Sequence, residues 1–144
     1  RHLHLSADGR KLTGTDTLAA TTLAERKRFE QIMQDGRMEA VRLDIRFHLH
    51  PDVDAALDLG GTAVSLALKS GEIWVFRHDG QAKLALEPSV YLEKSRLRPR
   101  SARQIVLSAR ALDLETRIGW TLAKAQDTPL AIRDLDRSDM PVPI

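Results

Sequence analysis

The stretch "VRLDIRFHL", residues 41–49, decides the fold. Val41, Leu43, Ile45, Phe47 and Leu49 alternate without a break with Arg42, Asp44, Arg46 and His48. Successive side chains of a β-strand point to opposite faces, so this period of two sorts the segment into a dry side and a wet side. A helix would instead spread the four polar residues around its surface. The segment therefore reads as a strand that covers a core with one face and meets solvent with the other.

The same alternation recurs outward from this point. "HLHL" (2–5) leads into the turn dipeptide Asp8-Gly9, and "KLTGTDTL" (11–18) returns as the second arm of a hairpin. "TAVSLALK" (62–69) puts Thr62, Val64, Leu66 and Leu68 on one face. Ser70-Gly71 then turns the chain into "EIWVFRH", and Asp79-Gly80 turns it again into "QAKLALE", which reads as a three-strand meander. Further strands are expected at "SVYL" (89–92), "QIVLSAR" (104–110) and "ETRIGWTLAK" (115–124), the last with Thr116, Ile118, Trp120 and Leu122 on a common face. "DLGG" reads as a turn, since no helix pattern follows it. Parallel sheets need long crossovers, and no regular series of them is present. The expected architecture is all-β, an antiparallel β-sandwich built from a meander of about 8–10 strands. One segment departs from the period of two. "LAERKRFEQIMQ" (23–34) carries Leu23, Phe29, Ile32 and Met33 among charges and precedes Asp35-Gly36, which predicts a short helical insertion over about 22–34. The sandwich domain is expected over 1–126. The tail 127–144, "DTPLAIRDLDRSDMPVPI", with three prolines and alternating charge, is expected to be extended or partly disordered.

Composition narrows the function classes. The 144 residues suit one domain with a sizeable core, at 42% hydrophobic and 29% charged residues. The net charge of +2 is too small to point to nucleic acid, although the sequence pI is near 9.2. A local basic run, Arg96, Arg98, Arg100 and Arg103, suits an anionic partner or a solvated loop. With no cysteine, disulfides and thiolate metal sites are excluded. No stretch is long and apolar enough to span a membrane. The chain opens on Arg1 with residues that already read as a strand, which suggests a piece of a longer protein.

"RFHLH" (46–50) holds the residues closest to chemistry. If the strand continues to Pro51, Arg46, His48 and His50 share its wet face. Two histidines two apart on a strand lie roughly 6–7 Å from each other, a spacing that can supply two zinc ligands. His2 and His4 repeat the spacing, so His2, His4, His48 and His50 are the one candidate metal set. Solvent-facing or hydrogen-bonded histidines are the simpler reading. Arg46 also argues against a metal, because a cation beside the pair repels a second one. The same cation favours an anionic ligand, and Arg42, Arg46, His48 and His50 on one face would attract a carboxylate or sulfate. No Gly-x-Ser-x-Gly elbow and no phosphate-binding glycine loop is present. Tyr91, the one tyrosine, is either a general base or a packed ring, and Trp74 and Trp120 either stack on sugars or fill the core.

Taken in order, "HLHLSADGRKLTGTDTL" (2–18), "IRFHLHPDV" (45–53), "SGEIWVFRHDG" (70–80), "LALEPSVYLEKSRLRPRSARQIVLS" (84–108) and "GWTLAK" (119–124) resemble the C-terminal β-rich region of bacterial heparinase II/III-like proteins. Ala19 to Glu39 falls outside that pattern, and Pro88 interrupts the family's "ESVYL"-like segment. The resemblance implies a parent polysaccharide lyase that cleaves uronic-acid-containing glycans by β-elimination. It implies an N-terminal α/α-toroid in the same parent, which carries the tyrosine base, so that no catalytic residue is assigned here and this chain alone is expected to be inactive. It implies an acidic polysaccharide as partner, a periplasmic or extracellular setting and, in some members, a structural zinc; for this chain no cofactor is expected, with zinc as the alternative. The alternatives are a stand-alone module that binds acidic polysaccharide without cleaving it, or an interaction domain, for instance a homodimer.

Overall fold

The computed structural model describes residues 1–35, 41–94 and 97–125. Strand β1 (His2–Leu5) and strand β2 (Lys11–Ala19) form the expected hairpin, in which Leu5 pairs with Leu12 and His2 with Thr15. Gly9, at φ +67°, supplies the left-handed residue of its turn. Helix α1 (Leu23–Asp35) follows. Its start is a capping box: Thr22 Oγ1 accepts from Glu25 N at 3.2 Å, while Glu25 Oε2 accepts from Thr22 N at 2.9 Å and Thr21 N at 2.8 Å. No residue of α1 is buried, so the helix adds nothing to the core.

Strands β3 (Val41–His48), β4 (Asp54–Asp58), β5 (Ala63–Ala67), β6 (Ile73–His78), β7 (Lys83–Tyr91), β8 (Arg100–Ala111) and β9 (Glu115–Lys124) complete the described chain. They form a six-stranded sheet in the order β1-β2-β9-β6-β5-β4 and a three-stranded sheet in the order β3-β8-β7, with every neighbouring pair antiparallel. The all-β sandwich read from the alternation is therefore the fold. The path through it differs from the simple meander in one place. Strands β5 and β6 pair as expected, but Asp79-Gly80 does not close a hairpin, and the chain leaves the large sheet there and enters the small one. Asp79 explains the switch. Its amide donates to Gly119 O at 3.0 Å and its Oδ2 accepts from Gly119 N at 2.6 Å, which commits the end of β6 to β9. "SVYL" is likewise no separate strand, since residues 89–91 continue β7 through Pro88. That proline is tolerated because β7 is an edge strand and its other side needs no N–H. The short strand β4 carries no clear alternation and was not expected from the sequence. The tail 127–144 lies outside the described residues.

The core sits between the sheets. Ile45, Val64, Leu66, Phe76, Ile105, Leu107, Ile118 and Trp120 form its buried cluster. At its centre the Phe47 ring lies 5.0 Å from Phe76 and 4.8 Å from Trp120, while Phe76 and Trp120 stack at 5.8 Å. Trp120 Nε1 donates to Asp16 Oδ2 at 2.8 Å, so the indole enters the core without an unpaired donor. Burial pushes the Asp16 carboxyl up, but hydrogen bonds from Arg1 and Trp120 outweigh it and hold the group below the usual carboxylate range.

Candidate functional site

The wet face of β3 is the outer face of the three-stranded sheet. Register places Arg42 opposite Arg110, Asp44 opposite Ser108, Arg46 opposite Val106 and His48 opposite Gln104. On the other side of β8, Lys83 pairs with Ser108, Glu87 with Gln104, Ser89 with Ala102 and Tyr91 with Arg100. Arg46 and His48 therefore lie along one surface with β7 as its far wall; the strand ends at His48 and does not run on to Pro51, and His50 is placed there by its packing against Tyr91 of β7.

Strands β3 and β7 flank β8 and would stand roughly 9.5 Å apart in a flat sheet. Their side chains nonetheless meet. Arg46 Nη1 lies 3.0 Å from Glu87 Oε2, and His48 Nδ1 lies 2.8 Å from Ser89 Oγ. These pairs reach across β8 from either side. This explains why Ala102, Gln104 and Val106 are buried although they face away from the core: Val106 is 0% exposed and Gln104 is 9% exposed. Beneath the bridges, Gln104 Nε2 donates to Pro88 O at 3.3 Å, and its Oε1 is buried without a hydrogen-bond partner among the described residues. An orphaned buried oxygen is costly, so Gln104→Met, which keeps the shape and removes the polar group, is expected to leave thermal stability unchanged or raised. A fall in melting temperature of several degrees would show that Oε1 is satisfied.

At the His50 end the groups are held by a network. The His50 ring packs edge-on against Tyr91 at 4.9 Å, and its Nδ1 accepts from Asp52 N at 3.2 Å, which leaves Nε2 as the outward-facing nitrogen. Tyr91 thus serves as a packed ring. Asp52 accepts from Lys69 Nζ at 2.9 Å and from Arg100 Nη2 at 2.8 Å, and Arg100 also binds Glu93 at 2.8 Å. Hydrogen bonds from Lys69 and Arg100 lower the Asp52 carboxyl from 3.8 to about 2. Because the folded value is depressed, the stabilisation is fully present above pH 3.8 and is lost as pH falls toward about 2. Urea titrations of the wild type and Asp52→Asn should differ by a constant amount near neutrality and converge in that acid window. A difference that persists at the acid end would refute the assignment.

The two histidine pairs do not come together. His2 and His4 point with Thr15 and Thr13 away from the core of the six-stranded sheet, opposite in face to Gly14 and Trp120, whereas His48 and His50 lie on the outside of the other sheet. Among the described residues no three His, Asp or Glu side chains are grouped so as to hold a metal ion. Trp120 is core, and Trp74 is half-buried against the core with Nε1 3.4 Å from Glu72. Of the basic run, Arg100 is tied to Asp52 and Glu93, Arg98 and Arg103 are exposed, and Arg96 lies outside the described residues.

The charge balance of the surface differs from the reading of β3 alone. Arg46 is committed to Glu87 and, at 3.5 Å, to Asp44, while Arg42 shares Asp44 at 3.0 Å. A hydrogen bond from Ser108, then one from Arg42, holds the Asp44 carboxyl below its usual value. Lys83 and Arg110 form no ion pair among the described residues. Sequence reasoning passed over both, because nothing but strand register reveals that they stand beside Arg42. Among the described residues no helix is long and apolar enough to cross a membrane.

The chain is 29% identical over 127 residues to FtsZ-localized protein C of Caulobacter vibrioides, a match that covers 88% of this chain but 20% of the relative. The chain thus spans about a fifth of the length of that protein. The profile described as "Heparinase II/III-like, C-terminal" matches residues 1–121, including both sheets and the outer face of β3, and the chain belongs to that family.

Proposed function

We propose that this chain is the C-terminal β-sandwich portion of a heparinase II/III-like polysaccharide lyase, and that it supports an α/α-toroid of the same parent protein while presenting an acidic glycan with the outer face of its three-stranded sheet. The family match over residues 1–121 carries this reading. Lyases of the family act by β-elimination on uronic-acid-containing glycans. Such chemistry needs a base at the acidic proton and positive groups around the carboxylate whose charge grows in the transition state. On this chain Arg46, His48 and His50 serve the second need alone: a guanidinium that also holds Glu87 and Asp44, and two imidazoles beside it, can orient a uronate carboxylate, with no residue assigned to proton abstraction. The chain by itself is expected to release no unsaturated uronate from heparin-like substrates, and robust turnover would overturn the supporting role.

The surface is tested by affinity. Arg46→Ala/His48→Ala is expected to weaken retention of the chain on immobilised heparin by roughly tenfold in dissociation constant, as loss of charge-assisted contacts does. Its unfolding midpoint should change little, because the Arg46–Glu87 pair is solvent-exposed and such pairs contribute about 0–1 kcal/mol. Unchanged retention would remove these residues from the glycan surface.

A second reading has its own support. The name of the Caulobacter relative refers to localisation with FtsZ, which favours an interaction module without glycan chemistry. That reading expects no retention on any acidic glycan by wild type or variant, with binding instead to a protein partner or to a second copy of the chain.

A further inference from the structure

One corner of the outer face carries more positive charge than the fold itself uses. Arg42 on β3 and Arg110 on β8 are direct cross-strand partners. Like charges in that position repel and weaken a sheet. Asp44 relieves only part of this repulsion, since it already holds Arg42, Arg46 and the hydroxyl of Ser108. Lys83, opposite Ser108 on β7, brings a third cation to the same corner. These three line an open cavity of about 510 Å³ with Ala85, Glu87 and Ser108, and its one carboxylate, Glu87, is bound to Arg46. The small side chain of Ala85 keeps the floor low. Neither Lys83 nor Arg110 has an ionic partner among the described residues.

We propose that the Arg42–Arg110–Lys83 corner is a subsite for a tetrahedral oxyanion ester, a sulfate group carried by the acidic glycan. This deepens the proposed function and rests on it for the identity of the ligand, though not for the anion site itself. The Arg110 guanidinium, the Arg42 N–H groups not engaged by Asp44 and the Lys83 ammonium line one cavity, and such a three-sided set of donors suits an anion with several equivalent oxygens better than a flat carboxylate, which one fork already satisfies. An anion seated there also removes the Arg42–Arg110 repulsion, so the site gains from occupancy what the empty sheet loses. Arg42 and Arg46 both contact Asp44 Oδ2, at 3.0 Å and 3.5 Å, so the corner adjoins the Arg46 guanidinium. A sulfate at the corner and a uronate carboxylate at Arg46 and His48 would thus be neighbouring groups on one stretch of glycan. The corner would discriminate sulfated from unsulfated glycans, while Arg46 and His48 would bind both.

The test compares a sulfated heparin oligosaccharide with an unsulfated uronate oligosaccharide of equal length, by calorimetry on the full chain at fixed ionic strength. The wild type is expected to bind the sulfated ligand about tenfold more tightly. Lys83→Ala/Arg110→Ala should abolish that preference and leave the unsulfated affinity within about twofold. Arg98→Ala/Arg103→Ala removes the same formal charge elsewhere and should preserve the preference. Equal affinities in the wild type, or a preference that survives Lys83→Ala/Arg110→Ala, would overturn the subsite and leave the glycan surface standing. Inorganic sulfate, followed by NMR at the arginine Nε–H groups against chloride of matched ionic strength, separates the remaining cases. A response at Arg42 and Arg110 without glycan binding would support the anion site and overturn the glycan reading; no response and no glycan binding would overturn both.

Discussion

Phe76→Ala is expected to destabilise the domain by about 3–5 kcal/mol, a large share of the stability of a protein this size. Phe76 is 2% exposed and its ring touches both Phe47 and Trp120. It comes from β6 in the large sheet, Phe47 from β3 in the small one, and Trp120 from β9, so its removal empties the place where the two layers meet. The strands around it are pinned by hydrogen bonds on both sides and cannot collapse into the space, which adds a cavity penalty to the lost transfer free energy. Urea unfolding of the variant should show this shift with little change in slope. Leu57→Ala, at a position 52% exposed on the edge strand β4, should stay within about 0.5 kcal/mol of wild type and serves as the control. Equal effects at the two sites would mean that the aromatic cluster is not the centre of the core.

Gly14→Ala should be the next most damaging substitution, at about 2–3 kcal/mol, from overpacking instead of a cavity. Gly14 pairs with Trp120 across β2 and β9, and the indole lies flat over it. A methyl group at Gly14 would fall inside the van der Waals surface of the ring. The indole has little freedom to retreat, because Nε1 is held by Asp16 and its faces and edges meet Phe47 and Phe76. The cost is therefore conditional on the ring. In a Trp120→Ala background the Gly14→Ala change should become nearly neutral, giving a coupling energy of about 2–3 kcal/mol between the sites. Strictly additive effects would show that Gly14 is required for its backbone and not for the space above it.

Much of this core was legible before any coordinates. The alternation in 41–49 gave the correct inward face, since Ile45 is buried and Arg46 and His48 are exposed. The common face of Thr116, Ile118, Trp120 and Leu122 on β9 was equally plain, and a helix was expected over about 22–34, though the Thr22–Glu25 capping box that fixes its start was not singled out. Gly14 was not singled out. A glycine in a strand signals that something approaches closely, but its partner, 106 positions along the chain, is known only from register. The candidate site was half visible. Arg46, His48 and His50 were placed on one surface from their spacing alone. Their neighbours were not, because Glu87 and Ser89 belong to a strand two places across the sheet, and only strand order and register bring them within reach of β3.

What the sequence by itself determined is local: which residues of each strand face oil or water, where the turns fall, and that the layers are antiparallel. These follow from a two-residue period and from turn chemistry, both of which operate over a few positions. Which strands share a sheet was decided only in three dimensions. The turn at Asp79-Gly80 permits either a hairpin or a change of layer, and the choice rests on bonds from Asp79 to Gly119, a residue 40 positions away. The same long-range register placed Arg110 opposite Arg42 and Lys83 beside them, so the net charge of the outer face is a property of strand order. Local sequence sets the sign of each side chain, and the sheet sets which signs meet.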